Sequence, residues 1–345
     1  MATRDASDFD VEGPAAFEGQ AQRERMAGLG PWRVALRRLR RNRVALAFLV
    51  IFILLVAAAL AAPIWENVAG RGPLANNLSG KVTLDGEEAN VVSLDGIPIG
   101  PTWQSEYLMG ADSNGRDIMV RLLYGGRSSL LIGLSAALLT TLLSIALGTL
   151  AGFFRGVVDA MIRFTLDVIW AFPVILLGVA LGTALSLGGL QVGPVEISGD
   201  SKLIPILIIG FVYIPYMARP IRGQVLSMRE KEFVEAARAQ GMGPLRTIVS
   251  EILPNLSSTI VVFFPIMVAN AILLEAALSF LGAGVRPPEP SWGNMIDSGV
   301  DRIVTAPHQA IVPGVMLVLT VLSLNVFGDG VRDAFDPRAK VRVDH

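Results

Sequence analysis

The sequence predicts an all-α integral membrane protein with six transmembrane helices. Of its 345 residues, 52% are hydrophobic and 17% are charged, and the mean hydropathy is +0.55. Such a composition is too apolar for a soluble chain of this length. A hydrocarbon core about 30 Å thick requires about 20 apolar residues per helix. Six stretches meet this requirement, namely 44–62, 128–153, 160–185, 203–218, 258–281 and 309–327.

The fourth stretch is interrupted by two prolines, so we predict that its helix is kinked and extends past Pro220 into the cytoplasm. Small residues inside the spans are expected to permit close helix packing rather than to line a pathway. These residues are Gly148, Gly152, Gly178, Gly182, Ala276 and Ala277.

The composition also argues against several kinds of site. The chain has no cysteine, so disulfides, thiolate metal sites and a cysteine nucleophile are excluded. Its two histidines, His308 and His345, belong to no metal-ligand or nucleophile–base cluster in the sequence. A net charge of −1, with the cations beside apolar segments, gives no indication of a nucleic-acid partner. We therefore expect neither a membrane enzyme nor a metal site.

Arginine placement predicts the orientation, because cytoplasmic flanks of transmembrane helices are enriched in cations. Residues 1–43 are accordingly predicted to be a cytoplasmic tail with a basic juxtamembrane segment that binds anionic lipid as a topogenic signal. Residues 44–65 are the first transmembrane helix, and 329–345 are a cytoplasmic C-terminal tail. The arginines that precede the first helix are Arg33, Arg37, Arg38, Arg40, Arg41 and Arg43.

Residues 66–105 form an extracytoplasmic loop with indications of its own structure. Short β-like runs at 81–84 and 90–94 are accompanied by the turn dipeptides Asp85-Gly86 and Asp95-Gly96. This pattern predicts a small β-meander, although an irregular loop is equally consistent with it. An isolated hairpin is marginal in water, so the segment is expected to dock on the membrane domain or on a partner.

Residues 232–254, EFVEAARAQGMGPLRTIVSEILP, predict a charged helix–turn–helix on the cytoplasmic side. Ser227, with a glutamate three residues later, forms a candidate capping box, and Gly241 is placed to end the first helix in a left-handed conformation. Pro244 suits the first turn of the second helix, and Pro254 is expected to end it. The alanines at 236 and 237 predict a smooth face for another protein.

This pattern resembles the EAA loop of ATP-binding-cassette importer permeases. In that family the loop is the coupling helix, which docks into a cleft on the ATPase subunit. Glu251 stands where the wider family usually carries isoleucine. The coupling segment is taken as 227–254, and the resemblance implies that its coupling residues are Glu235, Ala236, Ala237, Gly241, Leu253 and Pro254.

Three further strings are similar to the C-type permease subunit of dipeptide, oligopeptide and nickel importers. They are GADSNGRDIMVRLLYGGRSSLLIGL at 110–134, EAALSFLGAGVRPPEPSWGNM at 275–295 and PGVMLVLTVLSLNVFGDGVRDAFDPR at 313–338. Ala111 and Val120 stand where that family usually has threonine and serine. The resemblance implies a type I importer permease fold, with residues 106–328 as the core transmembrane permease domain.

The resemblance also implies the function and the partners. The expected function is binding-protein-dependent import of di- or oligopeptides across the cytoplasmic membrane of a prokaryote by alternating access. Expected partners are a homologous permease, two cytoplasmic ATP-binding subunits, an extracytoplasmic solute-binding protein and membrane lipid. The chain lacks GxxxxGK[ST], so ATP and Mg²⁺ are expected on the partner subunits and no cofactor on this chain. Alternatives are a nickel-chelate permease and, less favoured, a secondary transporter, since neither proton-relay residues nor inverted repeats are evident.

Charged residues inside the spans are costly in hydrocarbon and therefore informative. Arg163 and Asp167 lie one helical turn apart and are predicted to neutralise each other. Glu275 lies deeper in the fifth span, where helix-to-helix pairing and a role in the transport pathway are both consistent with the sequence. Trp292 follows a proline-rich turn, and this position favours an interfacial anchor over a substrate contact.

Overall fold

The computed structural model describes residues 31–84 and 86–336. In chain order its helices are α1 (Pro31–Arg41), α2 (Arg43–Leu60), α3 (Ala62–Ala69), α4 (Ile118–Phe154), α5 (Gly156–Trp170), α6 (Val174–Gly188), α7 (Leu203–Val212), α8 (Ile214–Met228), α9 (Glu232–Ala239), α10 (Pro244–Thr247), a π-helical segment (Ile248–Ile252), α11 (Leu253–Phe280), α12 (Trp292–Val300) and α13 (His308–Phe335). Two antiparallel hairpins pair β1 (Lys81–Leu84) with β2 (Glu87–Asn90), and β3 (Leu190–Val192) with β4 (Val195–Ile197).

Within the described residues, four helical segments are long and apolar enough to cross a membrane alone: Arg43–Leu60, Ile118–Phe154, Pro244–Phe280 and His308–Phe335. Two bent pairs, α5 with α6 and α7 with α8, bring the total to six if each pair is one span. The helical membrane class is therefore confirmed, and the four to six candidate spans include the predicted six. The second span is longer than predicted, since it begins where Asp117 Oδ1 accepts hydrogen bonds from the N–H groups of Met119 and Val120.

The predicted continuous helix over 160–185 is wrong. The chain bends by 87° between α5 and α6, in a break of residues 171–173 that ends at Pro173. Proline lacks a backbone donor and disfavours helical geometry in the residue before it, so a helix readily ends there. The predicted kink of the fourth span is confirmed, because α7 and α8 meet at 42° around Tyr213 and α8 passes Pro220 to end at Met228.

Helix α4 lies at the centre of the fold, packed against α7, α8 and α11. Glycines allow this close approach: a Cβ at Gly148 would lie 2.7 Å from the carbonyl oxygen of Ala218, and one at Gly152 would lie 2.7 Å from the Cβ of Val225. Both partners belong to α8, so no larger side chain fits between the two helices. The predicted packing role of these two glycines is confirmed.

The loop of residues 66–105 contains the predicted hairpin, although its second strand begins at Glu87 rather than at residue 90. Val82, Val91, Tyr107 and Ala111 form a small buried cluster beneath it. Because apolar side chains from the hairpin and from the chain before α4 share this cluster, the loop is an ordered cap on the N-terminal end of α4. We call it the outer cap, after the side of the membrane predicted for it.

Two further local features differ from what the sequence predicted. Trp292 is 1% exposed, and its indole N–H donates to the carbonyl of Leu122 at 3.1 Å, so it is a buried packing residue and not an interfacial anchor. The hairpin of β3 and β4 was not predicted, since its two strands are only three residues long. Runs this short carry little periodicity.

Candidate coupling surface

Helix α9 is a short exposed helix with a well-defined C-terminus. Gly241 has φ +82°, its N–H donates to the carbonyl of Arg238 at 2.9 Å, and the N–H of Met242 donates to that of Ala237 at 3.1 Å. This pair of hydrogen bonds is the Schellman motif, which satisfies carbonyls at a helix end. The predicted left-handed glycine is therefore confirmed, and it turns the chain sharply toward Pro244, which lies in the first turn of α10 as predicted.

The predicted capping box at the start of this helix is wrong. Ser227 lies inside α8, which ends one residue later, and α9 begins at Glu232 after Lys231, which makes no side-chain cap. The glutamate of the proposed box, Glu230, instead forms an ion pair with Arg155. Helix α8 is extended through Ser227 because its buried face, which includes Val225, continues to pack on α4.

The two faces of α9 differ in environment. Val234 and Ala237 are buried against the transmembrane helices, while Glu235 and Ala236 are exposed. Ala237 therefore faces the membrane domain and does not form part of the predicted smooth outer face. The exposed face presents the carboxylate of Glu235 next to the small side chain of Ala236.

The end of the coupling segment also differs from prediction, since Pro254 does not end a helix. Residues 244–280 run as one helical unit in which the π-helical segment Ile248–Ile252 precedes Pro254. A proline inside a helix removes a donor and crowds the preceding turn, and the wider π turn accommodates it. Leu253 is partly buried against the core, whereas Leu245 and Val249 are exposed.

Three arginines attach the coupling segment to the C-terminal end of α4. Arg229 donates from Nη1 to the carbonyl of Phe153 at 2.6 Å, and the guanidinium of Arg238 lies 5.2 Å from the centre of the Phe153 ring. Arg155 pairs with Glu230. Burial lowers the pKa of Arg229, and the charges of Arg155 and Arg238 lower it further. Sequence reasoning missed these contacts, because basic residues near a span were interpreted only as orientation signals.

The charges of the third span are paired, but not as predicted. Arg163 contacts Asp159, with Nε 3.3 Å from Oδ2, and Asp167 pairs with Arg219 at 2.7 Å. Asp159 also accepts two hydrogen bonds from Arg222, at 2.5 and 2.7 Å. The predicted mutual pair of Arg163 and Asp167 is therefore wrong, because α8 supplies the closer cations.

Glu275 is fully buried where α11 meets α4 and the start of α12. Its Oε1 accepts a hydrogen bond from the hydroxyl of Ser279 at 2.7 Å, and the side chains of Ser129 and Ser291 face the same carboxyl group. Oε2 has no hydrogen-bond partner. Within the described part of the chain no cation pairs with this carboxyl group, which is surrounded by the hydroxyl groups of Ser279 on its own helix and of Ser129 and Ser291 on neighbouring elements.

No group of three or more potential metal ligands occurs within residues 31–84 and 86–336. The site described above consists of an exposed helix, α9, that is attached to the long central helix α4.

Comparisons with known proteins identify the family of the chain. A family model for the "Binding-protein-dependent transport system inner membrane component" matches residues 144–341, and one for the "N-terminal TM domain of oligopeptide transport permease C" matches residues 30–75. A glutathione transport system permease of Pectobacterium atrosepticum is 35% identical over 310 residues, which is 90% of this chain and 92% of the relative. A dipeptide transport system permease of Alkalihalophilus pseudofirmus is 34% identical over 319 residues, which is 92% of this chain and 93% of the relative.

A solved structure of the methionine ABC transporter MetNI, in an inward-facing conformation, has a similar fold. The TM-score is 0.51 at 18% sequence identity, and the match covers 63% of this chain and 97% of that chain. At this level of identity the likeness concerns the fold alone.

Proposed function

The chain belongs to the family of binding-protein-dependent transport system inner membrane components, and we propose that it is one of two permease subunits of an ATP-driven peptide importer. The observation that carries this proposal is the exposed face of α9, which presents Glu235 and Ala236 at the end of the membrane domain. The chain supplies the transmembrane path, and the ATP-binding subunits supply hydrolysis.

In this proposal α9 is the helix that receives force from the ATPase. Movement of α9 is passed to α4 through Arg229 and Arg238, because both contact Phe153 near the last turn of α4. A bidentate pair between Arg222 and Asp159 joins α8 to α5 at the same level. These charge-assisted contacts hold the helix ends together as one body, which suits rigid-body alternating access.

The proposed solutes are di- or oligopeptides, since the similar curated permeases are named for dipeptide and glutathione transport. In the proposed assembly this chain forms a heterodimer with a homologous permease. The assembly also contains two ATP-binding subunits and an extracytoplasmic solute-binding protein. Both termini are proposed to be cytoplasmic, since the arginines of α1 and the coupling segment lie at helix ends that the positive-inside rule assigns to that side.

Orientation is testable with single cysteines, because the chain has none of its own. An impermeant thiol reagent added to intact cells is expected to label a cysteine at Leu94, which is fully exposed on the outer cap, and not one at Ala239 beside the coupling turn. Labelling at Ala239 alone would reverse the proposed topology.

The function itself is tested by uptake into proteoliposomes that contain the complete complex. Labelled dipeptide, glutathione and a nickel chelate are supplied with the solute-binding protein, and a complex with inactive ATP-binding subunits is the control. We expect peptide accumulation that requires both ATP and the binding protein. Nickel-chelate uptake without peptide uptake would establish the alternative solute, and uptake driven by an ion gradient without ATP would contradict the importer assignment.

A further inference from the structure

Helix α8 belongs to a candidate membrane span, yet the face that it exposes is polar. Within residues 214–228 no aliphatic side chain is exposed, and the exposed residues, which recur at helical spacing, are Tyr216, Arg219, Gly223, Gln224 and Ser227. We call this surface the polar face of α8. The neighbouring helix α5 exposes an apolar row instead, which consists of Val157, Met161, Phe164 and Val168. Hydrocarbon favours the apolar row, whereas the polar face of α8 requires water or protein around it.

An exposed ion pair lies on this polar face. Oδ1 of Asp167, on α5, is 2.7 Å from Nη2 of Arg219, and the two side chains are 67% and 40% exposed. The neighbouring Ala218 lies against Gly148, which is six residues, or about 9 Å, before the end of α4. The pair is therefore set back from the end of the membrane domain. A carboxylate that faced lipid at such a position would be costly, so the pair faces a polar environment.

Two exposed aromatic rings flank the pair. The guanidinium of Arg219 lies 5.1 Å from the centre of the Trp170 ring, and the rings of Trp170 and Tyr216 are 6.4 Å apart. From there the polar face continues past Gly223, where an added Cβ would meet no atom within 4 Å, to Ser227 in the last turn of α8. It is thus a strip that runs from the aromatic rings to the proposed cytoplasmic end of the domain, as a path for a polar solute requires.

We propose, on the basis of the peptide import proposed above, that the Asp167–Arg219 pair lies in the transport path and that Arg219 binds the terminal carboxylate of the passing peptide. A guanidinium binds a carboxylate through two parallel hydrogen bonds, and an exposed ion pair contributes little to stability, so a solute displaces it readily. A zwitterionic peptide also brings an ammonium group for Asp167 and leaves the net charge of the path unchanged. The faces of Trp170 and Tyr216 offer apolar contact to peptide side chains of any sequence.

The first test measures whether the polar face of α8 meets water. Gly223→Cys and, on the apolar row, Val168→Cys are placed singly in the complete transporter, in inside-out vesicles without ATP or solute-binding protein. A charged methanethiosulfonate reagent attacks thiolate, which forms in water and not in hydrocarbon, so Gly223→Cys is expected to react at least about tenfold faster than Val168→Cys. Equal rates would overturn the proposal. A cysteine at Gly223 that reacts only after the partner permease is removed would overturn it in favour of a subunit interface.

The second test measures whether Arg219 holds the carboxylate. Tyr216→Cys places a thiol one helical turn from Arg219, and Ser227→Cys, about 16 Å further along α8, is the matched control. A dipeptide at millimolar concentration is expected to slow the labelling of Tyr216→Cys and not of Ser227→Cys. The same dipeptide with an amidated C-terminus is expected to protect neither. Adding Arg219→Gln should abolish the protection, and Arg219→Lys, which keeps the charge but not the fork, should retain part of it.

Equal protection by the amidated dipeptide, or unchanged protection in the Arg219→Gln background, would overturn the proposed site. The double variant D167N/R219Q removes both charges and leaves no carboxylate unpaired, so it replaces Arg219→Gln if that variant does not assemble, and it too must lose the protection. Labelling requires neither ATP nor the binding protein. Protection without ATP-driven uptake would therefore contradict the proposed import function alone, and uptake without protection would contradict the site alone.

Discussion

Replacement of Gly241 by alanine is expected to weaken coupling through the backbone alone. Gly241 has φ +82°, and a Cβ built on it meets no atom within 4 Å, so the substitution causes no clash. A side chain in the left-handed region costs about 1–2 kcal/mol, because its Cβ approaches the following carbonyl oxygen. Since α9 is only eight residues long, we expect that cost to fall on its last turn.

A cost of this size changes the ratio of ordered to frayed helix ends by a factor of about 5–30. Gly243 offers a matched control, because it lies two residues away, has an equally open environment and has φ −67°, which any residue adopts. We therefore expect Gly243→Ala to be neutral and Gly241→Asn to fall between the two, as asparagine tolerates the left-handed region.

The measurement combines amide hydrogen exchange of α9 with ATP-driven uptake in the reconstituted complex. Gly241→Ala should speed hydrogen exchange at the amides of the last turn of α9 and lower ATP-driven uptake. Expression and membrane insertion should stay unchanged. If Gly241→Ala and Gly243→Ala behave alike in both assays, the Schellman motif is not needed for coupling and the reasoning is refuted.

Three further predictions concern charges. Glu235→Lys should abolish association with the ATP-binding subunits in co-purification, because a reversed charge at a desolvated contact costs several kcal/mol. Glu235→Gln should retain part of this association. Normal association of the lysine variant would show that Glu235 is not in the interface. Asp159→Asn should lower the free energy of unfolding, measured by thermal melts, by about 1.5–3 kcal/mol, because it breaks the charge-assisted pair with Arg222. Arg163→Gln removes a half-exposed pair and should lower it by less than about 1 kcal/mol. Equal losses in the two variants would contradict this ranking. The double variant E87Q/D95N on the outer cap should slow association of the solute-binding protein at low salt and not at high salt. Unchanged association kinetics at low salt would mean that the cap does not take part in docking.

The sequence was sufficient for features that depend on one residue or on one long run. Apolar run length predicted the spans, and the turn at Gly241 followed from the special conformational freedom of glycine. The hairpin of the outer cap followed in the same way from its Asp-Gly dipeptide, although its second strand was displaced. These features have local causes, so they are visible without knowledge of the tertiary structure.

Features that depend on distant partners were not predictable. Asp159 pairs with Arg222 across 63 positions of the chain, and the indole of Trp292 reaches Leu122 across 170. Helical spacing predicted that Arg163 pairs with an acid on its own helix. It could not predict that this acid is Asp159, which also pairs with Arg222 of α8. The burial of Trp292 likewise depends on packing against α4. The hydropathy of the segment around Trp292 carries no information about that packing.

Helix α4 gives the fold a physical connection between its two ends. With 37 residues at a rise of about 1.5 Å each, it spans more than the thickness of the hydrocarbon core. At the outer end Arg121 donates to the carbonyls of Pro73 and Pro288 at 3.0 and 3.3 Å, and so holds both the outer cap and the turn before α12. At the inner end Phe153 is held by Arg229. Because α4 has no proline between these contacts and packs closely against α8 at Gly148 and Gly152, we expect a displacement imposed at one end to move the whole helix.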